Sequence, residues 1–314
     1  MKARIIIIIS CSMVLALSIG YLAKTFAKDK PSVVVVLRDL NSQYWEIVKA
    51  GAEKGFRDFG INGKVLATAN GWGEEQSELL KEVLHDSPDV LIVSPTYAPL
   101  TLPIMEEFVE NNIPVLLLDT DHPWGEKTAY IGTDNFDLGR KAGFLLASEL
   151  QPGDKVAIIG GDVNSPVSGE RIAGAHESFD AVHIEVATQR VNLMNRSPLV
   201  KEAVENILLL HPDVKAIMAT NDVLALQAIE VIKENGFTIP VTGADGTIEM
   251  VELIEEEVLP GTVAQNPYDM GYLSVEMADR VINGEVVENI DSGVDIIIKG
   301  NAKARLDFLK DLLK

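Results

Sequence analysis

The sequence predicts an α/β protein in which doubly wound parallel sheets form two lobes. Nine short apolar, β-branched runs lack alternation, which is typical of strands buried on both faces. Helical stretches separate these runs, and strand–helix alternation of this kind favours doubly wound sheets. The chain has 314 residues, a length that suggests about two domains. Nine strands are also many for a single sheet of this type, which favours their division between two lobes.

The predicted strands follow one another along the chain at residues 33–37, 64–69, 90–94, 115–119, 156–160, 184–188, 216–220, 241–244 and 262–265. Predicted helices lie between them, among others at residues 74–84, 199–210 and 222–234. In the first of these helices Leu80, Val83 and Leu84 fall on one face, as in an amphipathic helix that packs on a sheet.

The N-terminus has the composition of an export segment. Lys2 and Arg4 precede residues 5–23, a run of 19 residues without a charge. A basic and then an apolar region is typical of a secretory signal, although 19 residues approach the ~20 that a spanning helix needs. Residues 1–30 are therefore predicted to be a signal peptide, cleaved after Ala27, or a membrane anchor. The positive-inside rule places the rest of the chain outside the cytoplasm in either case.

Composition excludes several classes of function. The 27 Lys and Arg residues against 47 Asp and Glu give a formal net charge of −20, which argues against a nucleic-acid partner or an anionic membrane surface. Cys11 is the single cysteine, so neither an intrachain disulfide nor a cysteine metal site is possible. The five histidines lack the i, i+3 or i+4 spacing of a helical metal site. We therefore predict no metal and no cofactor.

Polar and aromatic residues follow several of the predicted strands. Ligands of open α/β sheets bind beyond the carboxyl ends of the strands, so these positions form the candidate site. The candidates are Ser42, Tyr44, Trp45, Asp119, Thr120, Asn221, Asp245 and Gln265, with Arg171 after the loop of the fifth strand. Carboxylates accept hydroxyl hydrogen bonds, amides donate and accept, and arginine presents a planar donor fork. With an aromatic ring to cover a sugar face, the mixture favours a neutral polyhydroxylated ligand.

Each candidate also has an ordinary structural interpretation. Asp222 and Asp245 could cap the helices that follow them, because caps occupy the same position for backbone reasons. Asn221 could be a turn residue, Trp45 could belong to the core, and Arg171 could form an ion pair at the surface. Only the joint placement at strand ends favours a binding site.

The motifs that carry a family resemblance are residues 40–45 (LNSQYW), 131–135 (IGTDN), 170–174 (ERIAG), 219–222 (ATND), 243–247 (GADGT) and 263–265 (VAQ). With these motifs, residues 32 to about 299 resemble the type I periplasmic sugar-binding proteins, the ribose- and galactose-binding group related to LacI-type repressor cores. The resemblance implies that Tyr44 and Trp45 stack on the sugar. It also implies that the polar ligand contacts come from Ser42, Asp119, Arg171, Asn221, Asp245 and Gln265.

Two positions depart from the ribose binders. These commonly have arginine at the position of Thr120, and they have an aromatic residue near Asn195, where this chain reads LMNR over residues 193–196. We count Thr120 and Asn195 among the candidate ligand contacts. Losing a donor fork and a stacking ring argues against ribose itself and favours a larger pocket for a pyranose, a polyol or a disaccharide.

The resemblance also implies a hinge of three crossovers near Thr133, Gln265 and Val294. The N-terminal lobe would then comprise residues 32–133 and 266–294, and the C-terminal lobe residues 134–265 and 295–314. Ligand contacts from both lobes would favour the closed state and shift the population toward it. We expect a monomer that delivers the sugar to the permease of an ABC importer.

Three alternatives remain to be weighed. A membrane-anchored sensor could present the same closure to a histidine kinase or chemoreceptor. A repressor would need a basic helix-turn-helix before the core, where the apolar residues 5–23 lie instead. An enzyme is not expected, because no dinucleotide, P-loop or G-x-S-x-G motif occurs. Asp119 and Asp245 could form a glycosidase pair, but a nearby arginine should hold both ionised.

Overall fold

The computed structural model describes residues 30–313, which contain 13 strands and 10 helices. The strands are β1 Ser32–Leu37, β2 Asn62–Ala67, β3 Val90–Val93, β4 Val115–Leu118, β5 Ala129–Gly132, β6 Lys155–Ile159, β7 Glu185–Arg190, β8 Val214–Ala219, β9 Val241–Thr242, β10 Ala244–Asp245, β11 Gly261–Gln265, β12 Ile290–Asp291 and β13 Val294–Ile298. The helices are α1 Gln43–Phe59, α2 Gly73–Asp86, α3 Ala98–Glu110, α4 Asn135–Ala147, α5 Pro166–Ala181, α6 Ser197–Leu210, α7 Asp222–Glu234, α8 Ile248–Glu255, α9 Pro267–Ile282 and α10 Lys299–Leu312.

The strands form three sheets. Sheet one has the order β12-β5-β4-β3-β1-β2, sheet two the order β7-β6-β8-β9, and sheet three the order β10-β11-β13. Every pair within them is parallel except β11 with β13, which run antiparallel. The predicted α/β fold with parallel sheets is confirmed, and the antiparallel β13 is a departure from it.

Helices cover both faces of the sheets, which explains the apolar runs without alternation. In β1, Val33 and Val35 pack with helices α1 and α9, whereas Val34 and Val36 pack with α2 and α3 on the opposite face. Burial on both faces removes the need for polar residues at every second position. Sheet two is enclosed in the same way, by α6 and α7 on one face and α4 and α5 on the other.

The predicted strands differ from the observed strands in burial and in number. Strands β2 and β7, each at one edge of its sheet, are largely half-buried or exposed rather than buried on both faces. The predicted strand at residues 241–244 is divided at Gly243 into β9 and β10. A Cβ on Gly243 would lie 2.4 Å from Oδ1 of Asp222, so this bend brings the chain against the start of α7. Strands β5, β12 and β13 were not predicted at all.

The chain passes between sheet one and the other sheets three times. It leaves sheet one after β5, returns after β11 through helix α9, and leaves again between β12 and β13. Helix α9 packs on sheet one through Met270 and Val275. The described residues contain no helix with the length and apolarity needed to span a bilayer, and the predicted export segment lies outside them.

Helices α4 and α5 cross with their backbones in contact, which fixes the backbone of Arg171. A Cβ on Gly139 would lie 2.0 Å from the carbonyl oxygen of Arg171, and one on Gly174 would lie 2.1 Å from that of Phe136. Because backbone cannot give way as a side chain can, we expect Gly139→Ala to lower the free energy of unfolding by about 2–3 kcal/mol. Urea unfolding measures the difference.

The control is Gly300→Ala in the first turn of α10, where an added Cβ meets no atom within 4 Å. Alanine lowers the entropy of the unfolded chain, so this variant should be as stable as the wild type or slightly more stable. Equal midpoints for the two variants would contradict the close crossing of α4 and α5.

Candidate binding cleft

A cavity of about 520 Å³ lies where strands of sheet one and of the other two sheets end. Nine of the ten predicted site residues line it: Ser42, Tyr44, Trp45, Asp119, Arg171, Asn195, Asn221, Asp245 and Gln265. The tenth, Thr120, lines an adjoining cavity of about 580 Å³ that shares Asp119, Asn195 and Asn221 with the first. Residues that are far apart in the sequence therefore lie close together in the fold, as the rule that ligands bind beyond strand ends predicts.

Arg171 is held at the centre of the cleft, with 3% of its side chain exposed. Its Nε donates to Oδ1 of Asn135 at 2.9 Å and its Nη1 donates to the carbonyl oxygen of Thr220 at 2.7 Å. Nη1 also lies 3.4 Å from Oδ1 of Asp245. The surface ion pair that the sequence left open is therefore wrong, because this guanidinium is buried and fixed in position.

Asp245 receives hydrogen bonds from two further directions. Nε2 of Gln265 donates to its Oδ1 at 2.6 Å, and the amide of Asp222 donates to its Oδ2 at 3.3 Å. The residue has a φ of 140°, a backbone conformation that residues other than glycine rarely adopt. Such strain costs roughly 1–3 kcal/mol and is typical of functional sites. Asp245 is not a helix cap, since Thr247 precedes α8.

Asp119 follows β4 with a φ of 64° and faces the cleft beside Tyr44. The Tyr44 hydroxyl donates to Oδ1 at 2.5 Å, and the Thr120 hydroxyl donates to Oδ2 at 3.1 Å. Thr120 therefore supports the carboxylate in place of reaching into the first cavity.

Burial outweighs the arginine in shifting the pKa of Asp119 and Asp245. Desolvation raises the pKa of Asp119 and of Asp245, although the positive charge of Arg171 and hydrogen bonds from Tyr44 and Gln265 act in the opposite direction. Arg171 therefore acts on both pKa values in the expected direction, but burial opposes it and outweighs it. That both carboxyls are held ionised stays a prediction.

The two aromatic residues at the start of α1 differ in their surroundings. Trp45 is only 7% exposed and packs in the core beneath sheet one with Val48 and Met270. The Tyr44 ring meets it edge-on, with centroids 5.0 Å apart and planes at 86°. The core interpretation of Trp45 thus holds for most of its surface, and the residue reaches the cleft only as part of its wall.

Asn221 is the cap of helix α7, whereas Asp222 is its first residue. Oδ1 of Asn221 accepts from the amide of Leu224 at 2.9 Å, and its Nδ2 donates to Oδ1 of Asn195 at 3.0 Å. The capping role left open for Asp222 is therefore wrong. Its Oδ2 accepts from the amide of Thr247 at 2.7 Å, while its buried Oδ1 has no hydrogen-bond partner within residues 30–313.

The buried Asp222 gives the protein a dependence on pH. Burial and the neighbouring charge of Asp245 raise the pKa of Asp222 to about 7. The folded protein thus keeps a proton that the unfolded chain loses near the usual pKa of 3.8. The contribution of Asp222 to the free energy of unfolding is fully present below pH 3.8, and it is lost as the pH rises through about 7.

Asp222→Asn is isosteric and cannot ionise. We expect its melting temperature to exceed that of the wild type by several degrees at pH 8, with the difference shrinking toward pH 5. Thermal unfolding across this range measures it, and Asp213→Asn at an exposed position is the control. A difference between Asp222→Asn and wild type that stays constant with pH would contradict a raised pKa.

The sequence missed several residues of the cleft. Arg38 and Asn70 line both cavities, and Glu249 lines the first. Arg38 directly follows β1, so the rule applied to the other strands would have found it. Gln43 was missed as well, and its Oε1 accepts from the amide of Ile248 at 2.8 Å, a bond between the starts of α1 and α8. The described residues hold no cluster of acidic, histidine or cysteine side chains suited to a metal ion.

A family model described as a periplasmic binding protein domain matches residues 33–286. The chain belongs to this family. It is 27% identical over 295 residues to the ribose import binding protein of Bacillus subtilis, covering 92% of this chain and 96% of that protein. It is 28% identical over 285 residues to the D-allose-binding periplasmic protein of Escherichia coli, covering 86% and 90%.

A solved structure of a glucose-galactose binding protein from Geobacillus stearothermophilus superimposes with a TM-score of 0.82 at 26% identity. The match covers 87% of this chain and 99% of that one. A periplasmic solute-binding protein from Actinobacillus succinogenes, solved with bound D-allose, gives a TM-score of 0.80 at 22% identity, covering 88% and 100%. This second likeness concerns the fold.

Proposed function

We propose that the protein captures an uncharged sugar or sugar-like polyol in this cleft and delivers it to an ABC importer. The observation that carries the proposal is the placement of Arg171, Asp119 and Asp245, from separate elements, around one cavity. Relatives over most of the chain are named for the import or binding of ribose and allose.

The charges of the cleft favour a neutral ligand. An anion would meet Asp119 and Asp245, and a cation would meet Arg171, which is already fixed by Asn135 and Thr220. Hydroxyl groups suit both kinds of partner, since each can donate to a carboxylate and accept from a guanidinium. Hydrogen bonds to charged groups contribute ~1.5–3 kcal/mol each, so several of them support micromolar or tighter binding.

Closure of two lobes is the proposed mechanism. The lobes comprise residues 32–133 with 266–294 and residues 134–265 with 295–314, as the three passages of the chain between sheets suggest. Asp119 belongs to the first lobe, and Arg171 and Asp245 belong to the second. A ligand that binds all three is bound more tightly in the closed state and shifts the population toward it. We also propose that the protein acts as a monomer.

The proposed location is extracytoplasmic, as the periplasmic relatives suggest, with the N-terminal segment as a signal peptide or anchor. An importer is favoured over a sensor because the curated relatives include import binding proteins. The proposal includes no catalysis, since the relatives are named as binding proteins.

A thermal-shift screen of the purified protein against pentoses, hexoses, polyols and disaccharides tests the proposal. A ligand that binds only the folded state raises the melting temperature, and titration calorimetry then gives the affinity. We expect at least one neutral sugar to bind with a micromolar or lower dissociation constant. Stabilisation by no member of the panel would refute sugar binding.

A further inference from the structure

The lining of the adjoining cavity of about 580 Å³ includes two exposed aromatic residues. Trp72 is 57% exposed and Tyr97 is 52% exposed, and both line this cavity. They lie in the loops after β2 and β3, away from the buried aromatic pair of Tyr44 and Trp45. Large aromatic side chains that are exposed to water beside a cavity indicate a site where a ligand binds and covers them.

Both aromatic residues lie at the start of a helix, a position where a polar side chain is usual. Trp72 is the N-cap of α2 and Tyr97 is the N-cap of α3, and neither side chain makes a capping hydrogen bond. Serine, threonine, aspartate or asparagine is preferred there because its oxygen satisfies a free amide. Each of the two helices thus has an aromatic ring where a stabilising polar cap is usual. This indicates that the two rings have a role other than stabilising the fold.

The two loops are held rigidly next to each other. The buried side chain of Gln76 donates to the carbonyl oxygen of Ser94 at 2.8 Å and accepts from the amide of Thr96 at 2.7 Å. This ties α2, which follows Trp72, to the loop that leads to Tyr97. A Cβ on Gly73 would lie 2.8 Å from Cβ of Tyr97, so glycine allows the tyrosine to pack against the start of α2.

The outer cavity continues from the inner one and offers polar partners as well. Asp119, Asn195 and Asn221 line both. The hydroxyl oxygen of Thr96, in the outer wall, is buried and has no hydrogen-bond partner in the described part of the chain. Met194 lines both cavities as well, more than half exposed and with a φ of 54°. A ring bound in the inner cavity could therefore be linked to a second ring in the outer one.

We propose that the outer cavity is a second subsite for a sugar ring, so that the ligand is a disaccharide bound across both cavities. This rests on the proposed sugar-binding function and names its ligand class. One ring lies among Asp119, Arg171 and Asp245, and the second ring presents its apolar face to Trp72 and Tyr97. A neutral glycoside of two rings satisfies both sets of contacts without burying a charge.

Titration calorimetry with paired sugars tests the subsite: glucose with maltose and cellobiose, and galactose with lactose and melibiose. We expect at least one disaccharide to bind tenfold or more tightly than its constituent monosaccharide. The double variant Trp72→Ala/Tyr97→Ala should remove this advantage and leave the monosaccharide affinity within about twofold, since an aromatic contact contributes of the order of one tenfold step.

Phe237→Ala, an exposed aromatic residue that lines neither cavity, is the matched control and should change neither affinity. Monosaccharides that bind as tightly as every disaccharide would overturn the subsite, and so would a double variant that weakens both classes equally. If no sugar of either size binds, the proposed function fails instead, so the two failures are distinguishable.

Discussion

Asp245→Ala is expected to weaken sugar binding by tenfold or more while the protein stays folded. The carboxylate is the point where Arg171, Gln265 and the amide of Asp222 converge, and part of it remains open to the cleft. Loss of one charged hydrogen bond to the ligand costs ~1.5–3 kcal/mol, which corresponds to about tenfold or more in affinity. The fold should tolerate the change because it also removes the repulsion between Asp245 and Asp222.

Calorimetric titration and thermal unfolding of the same preparation separate binding from folding. Asp213→Ala is the control, because this exposed carboxylate pairs with Lys155 and lines neither cavity. Asp245→Asn keeps the shape of the side chain and should fall between alanine and wild type. A wild-type dissociation constant in Asp245→Ala would exclude this carboxylate from the site.

Arg171→Met should abolish measurable sugar binding and lower the free energy of unfolding by about 3–5 kcal/mol. The variant leaves Asp119 and Asp245 without their shared cation and removes the donors that satisfy Asn135 and Thr220. Buried acceptors without a donor are costly in themselves. Urea unfolding measures the loss of stability.

Arg171→Lys keeps the charge but not the planar fork, so it cannot make both hydrogen bonds with one geometry. It should recover part of the stability and little of the binding. Stability equal to wild type in Arg171→Met would show that the guanidinium does not hold the cleft together, contrary to its burial and its hydrogen bonds.

The strand-end rule predicted most of the cleft because it depends on the order of elements alone. Asp119, Asn221 and Asp245 each follow a short apolar run, and parallel strands bring such residues to one edge. The rule could not distinguish a residue in the core from one in a pocket. Trp45 illustrates this, since its position after β1 is as predicted while most of its surface is buried.

The missed strands had no strong local signal. Strand β5 has four residues and follows β4 without an intervening helix, so the alternation used to find the others is interrupted there. Strand β12 has two residues, and β13 is an antiparallel strand with several exposed positions. Their pairing depends on β5 and β11, which lie far away in sequence.

The outer cavity was missed for a different reason. Trp72 and Tyr97 lie several residues beyond the ends of β2 and β3, at the starts of helices. The strand-end rule considers only the first residues after each strand, so it did not identify Trp72 and Tyr97. Aromatic residues at cap positions, where polar residues are normally preferred, are the signal that could have found them.

A crystal structure of the protein with its tightest-binding sugar tests the central claim most directly. We expect one sugar ring between the two lobes, with hydroxyl oxygens ~2.5–3.0 Å from Asp119 and Asp245 and a hydrogen bond from Arg171. A sugar bound outside the cleft, or one that contacts residues of a single lobe, would contradict capture by closure.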